Sequence, residues 1–306
     1  MSIYNFEVKA RCVHSAMKPV FFISKCFGLI YFKYHRHEGT VFNELYIPLL
    51  IYNALLLVIA DSVYLFYVTN WIRDSMHSVV SFSIILQSLC SVACNLIAIY
   101  ISLMKSKTVL VIFNKLNSLH HFLKHSCSTY SKIKRNLILQ IVLSTLGSVI
   151  SLIVSWQSVG GHMYFIHLYL TFFINESCNL AMEMQYLGFV QVLEQHFVNV
   201  NRFLLTSCRI TRKSVVTIVK YHDCLCDVIN IINSTYSLFV LLNVTKIFMS
   251  LSGILFIVLI RQYTTELQNY VGLLNTKNQV GPWCMLLTAK LIFMVITCSS
   301  ATQEVS

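Results

Sequence analysis

From Leu45 to Thr69 the chain reads LYIPLLIYNALLLVIADSVYLFYVT, 25 residues with one charged side chain, Asp61. A helix of about 20 apolar residues crosses the hydrocarbon core of a bilayer, and an apolar run of this length has few other places to go. Five more stretches follow it: Val79 to Met104, Leu137 to Trp156, Met163 to about Leu187, Tyr236 to Ile260, and a shorter one from Trp283 to about Thr297. In hydrocarbon every backbone N–H and C=O must be satisfied within the chain, so spans are helices or closed barrels. Nine glycines and three prolines leave little turn material for an all-β chain.

The expected fold is therefore all-α: a polytopic helical membrane protein of six spans, with helical cytosolic extensions and a cytosolic amino terminus. Residues 1–44 form an amino-terminal cytosolic segment, 45–299 the membrane domain, and 300–306 a cytosolic tail. The orientation comes from Lys and Arg in the flanks. The segments before span one, between spans two and three, and between spans four and five hold eighteen of them, and the opposite loops hold three. Positive residues stay on the cytosolic side. The same rule accounts for the net charge of +11 without a nucleic-acid partner, which would need the charge gathered on one exposed surface. The first apolar run, VFFISKCFGLIYF, is short and interrupted by Lys25, so no cleavable leader is expected; the run is expected on the membrane surface or packed against the bundle.

Beyond the membrane the inward segments are patterned as helices. Phe189, Leu193, Phe197, Val200 and Leu204 recur at steps of three and four, as do Val109, Ile112, Leu116, Leu119 and Leu123. A third stripe is Val216, Val219, Leu225, Ile229 and Ile232. An apolar stripe in water has to be covered, so these extensions should pack together below the membrane.

The eleven cysteines lie in apolar runs or in basic, cytosolic stretches, where they read as small packers or reduced thiols. The Cys224–Cys226 pair has no second cysteine pair at zinc spacing, so no metal site is expected. No nucleotide-binding loop, HExxH helix or GxSxG elbow occurs, so no catalytic residue and no cofactor is expected. Asn175-Glu-Ser, Asn233-Ser-Thr and Asn243-Val-Thr match glycosylation acceptors but fall within spans or at the inner face.

Charged side chains inside spans are costly, about 2.5–3.5 kcal/mol each on insertion scales, and mark candidate sites. They are Asp61, Glu176, Lys246 and Lys290. Glu176 and Lys246, on consecutive antiparallel spans, are the natural pair. A satisfied pair inside the bundle, or a lysine reaching for the interface, accounts for them without a functional role.

Several stretches resemble the insect gustatory receptors, a family of seven-helix chemoreceptors. They are KPVFFISKCFGLIYF near the start, QYLGFVQVLEQHFVNVNRFLL after span four, YHDCLCDVINIINSTYSLFVLLNVTKIFMSLSGILF entering span five, and CSSATQEVS after span six. The family's Thr-Tyr, followed five residues later by Gln-Phe in helix seven, does not occur, so the expectation is a chain cut short before that pore-lining helix. The resemblance implies a ligand-gated cation channel subunit for small-molecule tastants. Its setting would be the plasma membrane of chemosensory neurons, in a homo- or hetero-tetramer with other gustatory receptors. It also implies a pocket among the outer halves of the spans, near Trp156, Tyr164, His167, Tyr169 and Trp283. Aromatic side chains there suit a small organic ligand, and equally an interfacial belt. Two rivals remain. A G-protein-coupled receptor needs an external amino terminus, against the charge count; a secondary transporter predicts related halves with interrupted helices, and no such repeat is visible.

Glycosylation acceptors engineered into each hydrophilic segment test the orientation by gel shift. Acceptors between spans one and two should be modified. Modification between Lys105 and Arg135 would reverse the topology.

Overall fold

The computed structural model describes residues 3–29, 32–34, 41–43, 47–75, 78–122, 128–158, 163–206, 212–263 and 276–305. They form eight helices and one small hairpin. In chain order these are α1 (Ile3–Cys26), β1 (Phe32–Tyr34), β2 (Val41–Asn43), α2 (Ile47–Ser75), α3 (Ser78–Met104), α4 (Ser106–Phe122), α5 (Ser128–Ser158), α6 (Met163–Thr206), α7 (Arg212–Tyr263) and α8 (Thr276–Val305). The two strands pair antiparallel, with Lys33 opposite Phe42. Short strands were not expected in this segment, and they carry no alternation long enough to announce themselves.

Each expected span falls on one helix: α2, α3, α5, α6, α7 and α8 in turn. Among the described residues, Ile85–Met104, Tyr130–Ile150, Val215–Leu255 and Cys284–Glu304 are long and apolar enough to cross a bilayer, and α2 contributes the shorter stretch Leu57–Phe66. The outward faces carry large apolar side chains in helical stripes: Ile85, Leu89, Leu96 and Leu103 on α3, Leu139, Val142, Leu146 and Ile150 on α5, and Ile292, Val295 and Ile296 on α8. Apolar surface this continuous is stable against lipid and not against water. The chain is a polytopic helical membrane protein.

Helix α6 explains itself differently. From Cys178 to Leu193 nearly every side chain is buried, and Asn179, Glu183, Gln185 and Gln191 are among them. This stretch is at the centre, so its polar residues face the protein interior.

Helix α1 packs against the bundle through Val13, Ala16, Met17 and Val20, all buried, against α4, α5 and α6. It stops at a glycine. Leu29 N–H donates to the Ser24 carbonyl at 2.8 Å and Gly28 N–H to the Lys25 carbonyl at 3.0 Å, with Gly28 at φ 60°. This is the Schellman pattern of crossed bonds, which needs a left-handed residue that only glycine adopts cheaply. The α3–α4 junction is a bend rather than a break. Lys105 N–H reaches Ile101 and Val109 N–H reaches Lys105, each at 3.0 Å, so the ladder of bonds carries on through it.

Below the spans, α4 and the extensions of α6 and α7 form the helical stalk. Val109, Ile112 and Leu116 are fully buried, as are Phe189 and Phe197; Leu123 lies outside the described residues. The α7 stripe needs correction at its start. Val216 and Val219 are about half exposed, and the buried stripe is Tyr221, Leu225, Val228, Ile232, Tyr236 and Phe239. A tyrosine begins it where valines were expected, because the face turned to α4 and α6 is set by the whole 52-residue helix and not by the first apolar residues in it. The residues expected as a tail, 300–305, continue α8. They are held there by Asn201 Nδ2, which donates to the Glu304 carbonyl at 3.1 Å and to its carboxylate at 3.3 Å.

Helix α1 comes close to α6 at Gly188, where a Cβ would lie 2.8 Å from the buried Met17 thioether. Gly188→Val should cost about 1–3 kcal/mol by overpacking, and Met17→Ala should cost about 2–5 kcal/mol by leaving a cavity. The double variant should cost clearly less than the two together, read as the unfolding midpoint of the detergent-purified protein. Additive losses would show that the two residues do not meet.

Candidate functional site

Roughly halfway along the bundle, the interior turns polar. Glu176 lies 13 positions into α6 and is 7% exposed. One carboxylate oxygen accepts from Lys246 Nζ of α7 at 2.6 Å, and the other faces Lys290 Nζ of α8 at 3.5 Å. Two ammonium groups thus flank one carboxylate, and all three side chains are under a tenth exposed. One residue earlier on α6, Asn175 turns towards α2. Its Nδ2 donates to Asp61 Oδ1 at 2.8 Å, and Asn95 of α3 donates to the same oxygen at 2.9 Å. Seven residues after Glu176, Glu183 accepts a long bond, 3.4 Å, from Asn243 Nδ2, one turn before Lys246 on α7. Ser88 Oγ donates to Tyr64 Oη at 3.3 Å, and Tyr64 is within electrostatic reach of Asp61, Glu176 and Lys246.

The physics of the cluster is set by where it lies. A charge removed from water has to be paired and hydrogen-bonded, and the geometry at Glu176, a short bond to Lys246 and a longer contact with Lys290, compensates for that desolvation. Five helices, α2, α3, α6, α7 and α8, each donate to this centre. Moving any one of them uncovers a charge.

Of the four charged residues singled out in the sequence, Glu176, Lys246 and Lys290 meet in one ion-paired group. Asp61 sits beside them in an amide cage. Glu183 and Asn95, which were not singled out, complete the cluster with Asn175 and Asn243, which the sequence marked only through their glycosylation patterns. Asn95 and Asn243 each stand as a polar position in an apolar run, SVACNLIAIY and LLNVTKIF, and Glu183 is two helical turns from Glu176 on the same helix. Those were the available signals. Trp156 lies near the end of α5, Tyr164, His167 and Tyr169 in the first turns of α6, and Trp283 in the first third of α8. These helix ends share one side of the bundle, but the five side chains lie outside the described ones.

A second polar tier joins the centre to the stalk. Gln185 Nε2 donates to Ser24 Oγ at 2.6 Å and its oxygen accepts from Tyr236 Oη at 3.2 Å, linking α6 to α1 and α7. Lower still, Ser300 Oγ of α8 donates to Glu194 at 2.5 Å, and Tyr221 Oη pairs with His196 Nδ1 at 2.6 Å. Burial pushes the Tyr221 phenol well above its usual range, so it keeps its proton and remains available as a donor. A groove of about 590 Å³ runs between α4 and α7, lined by Asn114, Lys115, Lys220 and Cys224, and Lys115 bridges to Asp227 at 3.5 Å. The eight described cysteines are free thiols.

Residues 17–306 match a family model described as 7tm chemosensory receptor. No curated protein matches the chain.

Removing the shared carboxylate should be the most damaging change in the cluster. Glu176→Gln strands two buried ammonium groups and should cost about 3–5 kcal/mol; Lys290→Met, at the longer contact, should cost less than Lys246→Met. Unfolding midpoints or the yield of folded protein check the order. Equal tolerance of all three variants would show that the charges reach water.

Proposed function

Because the chain belongs to the 7tm chemosensory receptor family, we propose that it is a gustatory-type receptor subunit. In this reading a small organic tastant enters among the outer halves of α3, α5, α6, α7 and α8 and opens a cation channel. The channel is assembled from this chain, or from this chain with other gustatory receptors, as a tetramer in the plasma membrane of chemosensory neurons. The observation that carries the reading is the charged cluster beneath that region. A ligand acting on the outer halves needs an element with two discrete arrangements to bias. Glu176, held by two lysines from two different helices at 2.6 and 3.5 Å, is such an element: a small relative shift of α7 and α8 exchanges one partner's hold for the other's. Trp156, Tyr164, His167, Tyr169 and Trp283 supply apolar area and polar handles for the ligand.

Cells expressing the chain together with other receptors of the family should pass a cation current in response to members of a panel of small organic tastants. Trp283→Ala and Tyr164→Ala should lower the response at least tenfold in effective concentration while surface expression is unchanged. Concentrative, ion-coupled uptake of a solute with no conductance would replace the channel reading with a transporter.

A further inference from the structure

The centre of the bundle does not balance its charge with the side chains described. Asp61, Glu176 and Glu183 are buried carboxyl groups at 5%, 7% and 3% exposure, and the cations among them are Lys246 and Lys290. With all three ionised, two ammonium groups leave one negative charge. Both lysines are committed to Glu176. The excess therefore falls away from that pair, on the carboxylates that have only amide donors.

Asp61 is the better built of the two. Asn95 and Asn175 both point their Nδ2 at its Oδ1, at 2.9 and 2.8 Å. That orientation is fixed by the charge, since turning either amide over would press its oxygen on the carboxylate. Each amide oxygen thus belongs to a group whose nitrogen touches Asp61. Asn95 and Asn175 are 0% and 1% exposed, and Oδ1 of each is buried with no hydrogen-bond partner. A buried acceptor left unmade is costly, and here both belong to amides bonded to Asp61.

We propose that Asp61, Asn95 and Asn175 together hold one monovalent inorganic cation, of the size of sodium, between α2, α3 and α6. Hard cations take oxygen ligands, and a carboxylate with two amide oxygens from three helices is such a set. One ion answers both requirements together. A single proton on Asp61 neutralises the charge but donates to one of the two oxygens. A water donates to both and leaves the charge. A divalent ion reverses the excess instead of removing it. The cation ties the outer helices α2 and α3 to α6 as the lysines tie α7 and α8 to it.

The test uses the full chain purified in detergent and melted in sodium chloride or choline chloride at equal ionic strength. The midpoint should rise saturably with sodium and stay flat with choline, and radiolabelled sodium should be retained by the wild-type protein at a stoichiometry near one. Asp61→Asn should abolish both the retention and the sodium-specific rise. Identical midpoints in the two salts with no retained label would overturn the proposal, and so would a sodium effect that persists unchanged in Asp61→Asn. The label experiment needs no variant, so misfolding of Asp61→Asn does not leave the question open.

Discussion

Everything in the bundle is arranged around Glu176, a carboxylate placed where water cannot reach it and gripped from two sides by Lys246 and Lys290. An uncompensated charge at that depth costs several kcal/mol, so the three helices that supply the group have one register in which all of it is satisfied. Leucine and isoleucine packing alone does not impose a register in lipid, because lipid tails are as apolar as the side chains they would replace. The polar centre does. It explains why the polar residues Asn175, Glu176, Asn179 and Glu183 are buried on α6, while the exposed side chains of α3 are apolar.

The same logic runs down the chain below the membrane with the solvent exchanged. In the stalk, hydrophobic burial becomes a driving force again, and the contacts change character: Val109, Ile112, Phe113 and Leu116 of α4 pack on α6 and α7, while polar bonds such as His196–Tyr221 are single ties in an apolar surround. Helix α6 passes through both regimes without interruption. Its first described part is held by charge, its last by the periodic stripe Phe189, Leu193, Phe197 and Val200.

What could be read from the sequence follows that division. Long apolar runs give membrane helices because length and composition leave few alternatives, and charged residues inside them stand out against hydrocarbon, so Asp61, Glu176, Lys246 and Lys290 were visible. Asparagine is quieter. Asn95 and Asn175 carry no charge and occur in many spans, and only the fold brings their amides to one oxygen of Asp61. Glu183 was hidden for another reason: it falls near the inner end of a run, where a carboxylate reads as interfacial, whereas the central position of α6 keeps it dry. On α7 the helical period was visible but not its phase. Val216 and Val219 look like the start of the buried stripe, and the partner surface selects Tyr221 and Leu225 instead. Periodicity states that a face exists; the neighbours decide which.

The two longest helices join the tiers mechanically. At 1.5 Å per residue, the 52 residues of α7 span about 78 Å and the 44 of α6 about 66 Å, enough to reach from one side of the membrane into the stalk without a loop. A rotation of either helix at its outer end is not absorbed by a flexible joint on the way down. It is resisted first at Glu176–Lys246, then at Glu183–Asn243, Gln185–Tyr236 and His196–Tyr221, each a bond between these same two helices. Four bonds spaced along one pair of rods resist sliding together, since moving one helix by a fraction of a turn spoils all of them. That makes the α6–α7 pair resist sliding as one unit, with the highest electrostatic cost at Glu176–Lys246.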